Sequence, residues 1–411
     1  MLNAVRKIVR SAYKSMKPLA GGRPPSSSTV ALEDEIIVHF DSETGNSDSG
    51  RICLRGWVAS RQPVERVILP EHSSISLPLV ARPDVAAAYP QYPHTTGFEG
   101  FAEVSAGQQP WLRVDFKHTG GSTTRIVPLE TSAPVKAKFK AEKLDRVAKL
   151  LCCPECKSSL SIDSEGIMEC GSCRATFTRR PKYFDFLSSA TREQFGVVDT
   201  LNVSSNDYDR IANSFIGKYY DGLILDCGAG KREFEFPNVI NYEIVPYRST
   251  DVLGINEKLP FKDASFDAVF SLAVLEHVKD PFKSAAELSR VLKPGGILYC
   301  VVPLLQPVHG YPNHYYNMTS QGLSNLFEGR IEITDRAVLQ SGLPIWSLTW
   351  ILRSWADGLN GEARANFLSM PIGNLIGEAS SYLDRDFVKQ LSAEKNFELA
   401  STTMIIGKKL A

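Results

Sequence analysis

The 411-residue sequence predicts a multidomain protein built from an all-β sandwich, a small zinc ribbon and a doubly wound α/β domain. Three observations carry that expectation. Between residues 32 and 130, short alternating stretches (EIIVHF, RICLRGWVAS, ERVILP, WLRVDF, TRIVPL) are separated by Gly, Pro, Ser and Asp clusters, the spacing of sandwich strands. Two CxxC pairs follow, at 153–156 and 170–173. Residues 190 to 411 then alternate strand and helix patterns, which reads as α/β. The expected boundaries are a basic helix and linker at 1–30, the sandwich at 31–132, a connector helix at 133–148, the ribbon at 149–187 and the α/β domain at 188–411.

The totals limit the function classes. Lys plus Arg equals Asp plus Glu at 46 each, so no global field captures a polyanion, and nucleic acid is not expected as a partner. No apolar run approaches the roughly 20 residues that cross a bilayer, and the amino terminus lacks the apolar core and cleavage site of a signal peptide. The expected location is therefore cytoplasmic. Residues 1–20 combine Arg6, Lys7, Arg10, Lys14 and Lys17 with Leu2, Val5, Val9, Ala12 and Met16 at helical spacing and contain no acid. Two readings stand for this basic amphipathic helix: peripheral contact with the inner face of a membrane, or a solvated terminus. GGRPPSSS after it is a linker.

Within the sandwich region, Gly56, Trp57, Arg82, Pro83, Asp84, Val85, Gly97 and Phe98 form a pattern that resembles a β domain attached to bacterial glycosyltransferases and other glycan-assembly enzymes. It carries no obvious catalytic constellation, and core packing also accounts for Trp57 and Phe98. The charged stretch VKAKFKAEKLDRVAKLL then reads as a connecting helix.

In LLCCPECKSSLSIDSEGIMECGSCRATF, Cys153, Cys156, Cys170 and Cys173 sit on two CxxC turns separated by a hairpin-forming segment. That spacing can place four thiolates around Zn²⁺. A module this short has too little core to fold unaided, and four thiolates leave no position open for water, so the metal is expected to be structural. Cys152 is an unneeded neighbour.

LILDCGAGKREF, residues 223–234, places an acid and two glycines after a buried strand. Bare backbone at such a bend lets a ligand lie against the chain. Dinucleotides and S-adenosylmethionine are both bound this way. The dinucleotide fingerprint has a third glycine three residues after the second, but here Lys231, Arg232 and Glu233 follow Gly230. Seventeen residues beyond Asp226, Glu243 ends a second strand, where its carboxylate can accept from both ribose hydroxyls.

Residues 259–303 decide between the two. Asp226, Gly228 and Gly230, Leu259-Pro260-Phe261, the strand Phe266 to Ser271, the Leu275-Glu276-His277 turn and Leu292-Lys293-Pro294-Gly295-Gly296 span about 80 residues in an order that resembles a class I S-adenosylmethionine-dependent methyltransferase of the type 11 group. The cysteine segment is similar to small zinc ribbons found alone or fused to methyltransferases. The resemblance implies a Rossmann-like methyltransferase domain. It places Asp226, Gly228 and Gly230 at the methionine end of the cofactor, Glu243 at its ribose, Ile255 and Asn256 near its adenine, and Leu272 and Ala273 beneath it. The family's Asp before Leu-Pro-Phe is absent, since this chain reads GINEK.

The loop after the fifth strand, VVPLLQPVHGYPNHYYNMTSQGLSNLF, gathers His309 and His314 beside Tyr311, Tyr315 and Tyr316, a composition that suits a sugar or aromatic ring. His314, or failing that His309, is the expected base for an acceptor hydroxyl. Packing of the loop onto the domain is the competing reading, and His277 reads as a hydrogen-bonded turn residue. Further strands are expected around RIEITDRAVL and at ELASTTMIIGKK. Trp346 and Trp350 share one helical face, which is either lid packing or an exposed patch for a lipid-linked substrate. The expected acceptor is a glycan or lipid-linked saccharide of a cell-surface polysaccharide, by context. An RNA methyltransferase using the ribbon, supported locally by Arg174, Arg179, Arg180 and Lys182, and a non-catalytic scaffold are the alternatives.

Overall fold

The computed structural model describes residues 36–41, 51–71, 75–103, 110–129, 131–198, 200, 207–310 and 312–400. The basic stretch 1–20 and its linker lie outside them. Alternating residues in the first region form β1 (Ile36–Phe40), β2 (Arg51–Ser60), β3 (Val64–Leu69), β4 (Ile75–Leu77), β5 (Leu79–Val80), β6 (His94–Glu103), β7 (Trp111–His118) and β8 (Gly121–Pro128). They pair into two antiparallel sheets, in the orders β1-β2-β6-β5 and β4-β3-β7-β8. One apolar core joins them: Leu54, Val58 and Phe98 of the first sheet meet Leu69, Val114 and Phe116 of the second. Packing accounts for much of the glycan-domain pattern. Phe98 is fully buried with its ring edge-on to Phe116 at 5.5 Å. A Cβ on Gly56 would lie 2.2 Å from the His39 carbonyl oxygen, and one on Gly97 would lie 2.8 Å from the Arg82 side chain.

The helix Ala133–Ala148 carries Pro134 in its first turn, where a missing N–H is no loss. It does more than connect. Lys140 and Lys143 are buried, and each ammonium lies 2.6 Å from one oxygen of the fully buried Asp251 in the α/β domain. Glu235 approaches Lys140 at 2.8 Å. Burial raises the Asp251 carboxyl, but the two ammoniums outweigh it and hold the group below the usual carboxylate range.

Four short strands, β9 (Leu160–Ile162), β10 (Ile167–Cys170), β11 (Thr176–Arg179) and β12 (Phe184–Asp185), follow the first cysteine turn. The α/β strands are β13 (Ile224–Cys227), β14 (Val239–Glu243), β15 (Val252–Leu253), β16 (Phe266–Leu272) and β17 (Leu292–Val301), all parallel where they pair. β12 pairs parallel with β15, so cysteine segment and α/β domain share one nine-stranded sheet, ordered β17-β16-β13-β14-β15-β12-β11-β10-β9. The order reverses at β13, which sets its carboxyl end at the switch point where open α/β sheets take ligands.

Two sequence expectations end differently. RIEITDRAVL forms no strand: Ile331 and Ile333 pack on the main core, so its alternation reflects burial without a neighbouring ladder. Of ELASTTMIIGKK, residues from 401 onward lie outside the described residues. Among the described residues, no helix is long and apolar enough to cross a membrane.

Breaking a buried ion pair by removing one partner typically costs about 3–5 kcal/mol. Asp251→Asn should therefore lower unfolding stability by about that amount in chemical denaturation; an unchanged midpoint would show that the lysine pair does not pin the helix.

Candidate active site

The bend after β13 is shaped by contacts that exclude side chains. Gly228 has φ +86°, and a Cβ there would lie 2.4 Å from Val274 Cγ2. Its N–H and that of Ala229 both donate to the Tyr242 carbonyl, at 2.9 and 3.1 Å. Gly230, at φ +65°, donates its N–H to Glu243 Oε1 at 2.7 Å, and Ile244 N–H donates to Oε2 at 2.7 Å. Parallel pairing of β13 with β14 brings Glu243 to the bend. Burial pushes its carboxyl above the usual range despite these backbone donors.

Gly228, Gly230, Glu243, Asn256 and Leu272 line one cleft of about 2250 Å³. Asn256 is nearly buried; its Oδ1 accepts from the Cys227 thiol at 3.2 Å, and its Nδ2 has no hydrogen-bond partner. Asp226 sits differently from its sequence neighbours. It is fully buried beneath the bend and outside the cleft lining, with Oδ2 accepting from Arg232 Nη2 at 2.9 Å and from the Tyr208 hydroxyl. The Arg232 guanidinium stacks over the Tyr208 ring, 3.9 Å from its centroid. Oδ1 of Asp226 remains without a partner. An acid at a strand end was legible in the sequence; the arginine six residues on that folds back to hold it was not.

The loop after β17 closes the other side of the same cleft, which His277, His309, Asn313 and Tyr315 also line. Three imidazoles meet there, with ring centroids 5.2 Å apart for His277 and His309, 5.6 Å for His277 and His314, and 4.4 Å for His309 and His314. Both nitrogens of His314 are engaged: Nδ1 accepts from His309 N–H at 3.2 Å, and Nε2 pairs with Asn317 Oδ1 at 3.1 Å. His314 is not among the cleft-lining residues. His309 pairs only Nδ1, with the Pro307 carbonyl at 2.8 Å. Tyr311 lies outside the described residues. Tyr315 and Tyr316 donate their backbone N–H groups to the Glu276 carbonyl, tying loop to turn. Sequence reasoning quoted Glu276 without giving it a role. Its carboxyl is fully buried with no hydrogen-bond partner among the described residues, and burial pushes it up to about 8.

At the far end of the sheet the four thiols converge, all within 4.8 Å of one another, an arrangement that could hold a metal ion. The two turns repeat one geometry. Lys157 N–H donates to the Cys153 carbonyl at 2.8 Å and Arg174 N–H to the Cys170 carbonyl at 3.1 Å, with φ of 61° and 63° at the two basic residues. Hydrogen bonds with Ser158 depress the Cys156 thiol to about 6, whereas burial pushes the Cys153 thiol up to about 12, so the four thiols do not ionise alike.

Gly228→Ala meets both a positive φ and the Val274 methyls, and overpacking of this kind costs about 1–3 kcal/mol. A variant melting like wild type would show that the bend tolerates a side chain.

Comparison with known proteins places residues 237–300 in a match to the family model described as a methyltransferase domain. An uncharacterized methyltransferase of Schizosaccharomyces pombe is 42% identical over 77 residues, covering 18% of this chain and 28% of that protein. A tRNA U34 carboxymethyltransferase of Campylobacter curvus is 37% identical over 67 residues, covering 16% and 21%. A malonyl-acyl-carrier-protein O-methyltransferase of Hahella chejuensis is 34% identical over 82 residues, covering 20% and 29%. The chain thus spans less than a third of the length of each of these relatives. Glu243, Asn256 and Leu272 fall within the matched residues, and Asp226, Gly228 and Gly230 precede them.

Proposed function

We propose that the chain is an S-adenosylmethionine-dependent methyltransferase whose acceptor is a hydroxyl of a glycan or lipid-linked saccharide in surface-polysaccharide assembly. One observation carries this reading: the bare bend and Glu243 open into the same cleft as the histidine and tyrosine loop. Cofactor and acceptor would then meet at one place.

The residues fit the cofactor. Gly228 and Gly230 line the cleft with backbone where the methionine portion would lie. Glu243 already uses each oxygen for one N–H, and each keeps a lone pair for a ribose hydroxyl. Asn256 offers an unpartnered amide donor to the adenine, and Leu272 an apolar wall. Asp226 serves from below by fixing Arg232 and the strand end. The sulfonium supplies an activated methyl, so the protein's task is alignment and exclusion of water.

The acceptor oxygen is activated at Nε2 of His309, which has no hydrogen-bond partner among the described residues; His314 is spent on shaping the loop. Apolar side chains exposed around the opening, Leu304, Leu305, Trp346 and Leu348, suit an acceptor that carries a lipid. The basic segment 1–20 would add contact with the inner face of the membrane. At the four thiols we place a structural Zn²⁺.

Of the four basic residues behind the RNA reading, two are engaged within the chain and Arg180 and Lys182 stay exposed. Arg174 is paired with Glu169 at 2.8 Å, and Arg179 with Asp145 at 3.1 Å while its guanidinium lies 5.5 Å from the Phe184 ring centroid. A scaffold would leave the cleft unable to bind the cofactor, which calorimetry decides.

Titration calorimetry should show S-adenosylmethionine binding that Glu243→Gln weakens at least about tenfold, the loss of one charge-assisted hydrogen bond; no binding to the wild type would remove the enzyme reading. His309→Ala should lower turnover of a lipid-linked oligosaccharide about 10²–10⁴-fold at unchanged cofactor affinity, and a wild-type rate would refute its role. Replacing Cys156 and Cys173 by Ser should remove the thiol-held zinc and lower the melting temperature; metal analysis finding equal zinc in both proteins would contradict the structural site.

A further inference from the structure

Glu276 is placed unfavourably: its side chain is fully buried, neither carboxylate oxygen has a hydrogen-bond partner among the described residues, and Oε1 lies 3.9 Å from His277 Nε2. The tautomer of that imidazole is fixed by its other nitrogen. His277 Nδ1 sits 2.7 Å from the Asn313 carbonyl, which only accepts, so Nδ1 carries the hydrogen and Nε2 of the neutral ring carries a lone pair. The same holds for His309, whose Nδ1 donates to the Pro307 carbonyl at 2.8 Å and leaves a lone pair on Nε2. One nitrogen of each ring and one oxygen of the carboxylate lie within 4.8 Å of one another, and the two His277 and Glu276 atoms that face each other are Nε2 and Oε1. Without a cation between them this is an unfavourable way to bury a carboxylate.

We propose that Glu276, His277 Nε2 and His309 Nε2 bind one divalent transition-metal ion, of the Zn²⁺ or Mn²⁺ type, at the acceptor side of the cleft. Two imidazoles and a carboxylate are a donor set such ions accept, with positions left open for an outside oxygen. The carbonyls on the two Nδ1–H groups are the outer partners that orient ligating histidines. Ligand bonds of roughly 2.0–2.2 Å require the three donors to draw together from their present separations, the longest being up to 4.8 Å. The loop is built to come close. Gly310, at φ +92°, would place a Cβ 2.2 Å from His277 Cε1, so only glycine lets the strand of loop after His309 lie against that ring. The Glu276 carbonyl holds Tyr315 N–H at 2.7 Å and draws the loop onto the turn. His277 and His309 line the cleft, so an ion held between them would offer its open position to the acceptor oxygen.

The inference rests on the reading of this cleft as an acceptor site and changes one role in it: with Nε2 of His309 on the ion, the ion would activate the acceptor hydroxyl and its proton would pass to solvent, not to His309. The test uses the full chain after dialysis against chelator, titrated with Mn²⁺ and followed by electron paramagnetic resonance, because the four thiols favour zinc over manganese. Wild type should bind about one Mn²⁺ per chain. Glu276→Gln and His309→Gln should each weaken that binding at least tenfold, while His314→Gln, which alters no proposed ligand, should keep it. Circular dichroism and S-adenosylmethionine calorimetry on the same samples report folding and the cofactor site separately. Mn²⁺ binding without cofactor binding would leave the ion site standing and remove the enzyme reading. Absence of Mn²⁺ binding in folded wild type would overturn the site and leave Glu276 holding a proton instead, as would equal binding in the Gln variants of Glu276 and His309.

Discussion

The structure depends on a stretch of backbone that cannot carry side chains. At Gly228 the chain turns through a positive φ while Val274 occupies the space a Cβ would need, and the amides at 228 and 229 are spent on the Tyr242 carbonyl. Glu243 then takes the next N–H, from Gly230. The turn and the carboxylate hold one another, because β13 and β14 are parallel neighbours that end together. A concave floor results, with Glu243 at its edge and Val274 packed against Gly228. Without that floor, the histidine loop opposite would face only solvent.

What keeps the floor in place is continuity of the sheet. Pairing of β12 with β15 extends it through the cysteine segment, and the helix Ala133–Ala148 is pinned on Asp251 by two buried lysines. Desolvating three charges is expensive, and the attraction between them offsets that cost only in a fixed geometry. The arrangement therefore favours one docking of the helix over others. The segments read from sequence as separate modules share hydrogen bonds, a sheet and a buried ion cluster. The β-sandwich joins through lighter contacts, including Trp111, whose ring lies 4.7 Å from Phe139 and whose Nε1–H donates to the Tyr220 hydroxyl at 3.2 Å.

Periodicity and glycine spacing made the strands around the bend legible, since Leu223 to Cys227 and Phe266 to Leu272 are apolar runs bounded by turn residues. The cysteine turns were legible for a similar reason, because a metal-type knuckle needs residues close in sequence. Contacts between distant residues were not. The hold of Arg232 and Tyr208 on Asp226, and the engagement of both His314 nitrogens by His309 and Asn317, come from residues that no local pattern announces. Lys140 and Lys143 read only as part of a charged connecting helix, because nothing local announces a buried carboxylate more than a hundred residues away. RIEITDRAVL shows the converse error: alternation reports a buried face, and pairing needs a neighbour that pattern alone cannot supply.

The central claim is that one cleft, floored by the Gly228–Gly230 bend, holds the methyl donor. A crystal structure of the full chain soaked with S-adenosylhomocysteine tests it most directly. Density for the product should lie along that bend, with its ribose diol on Glu243 and its sulfur facing His309. Product bound elsewhere, or a cleft still empty at saturating concentration, would contradict it.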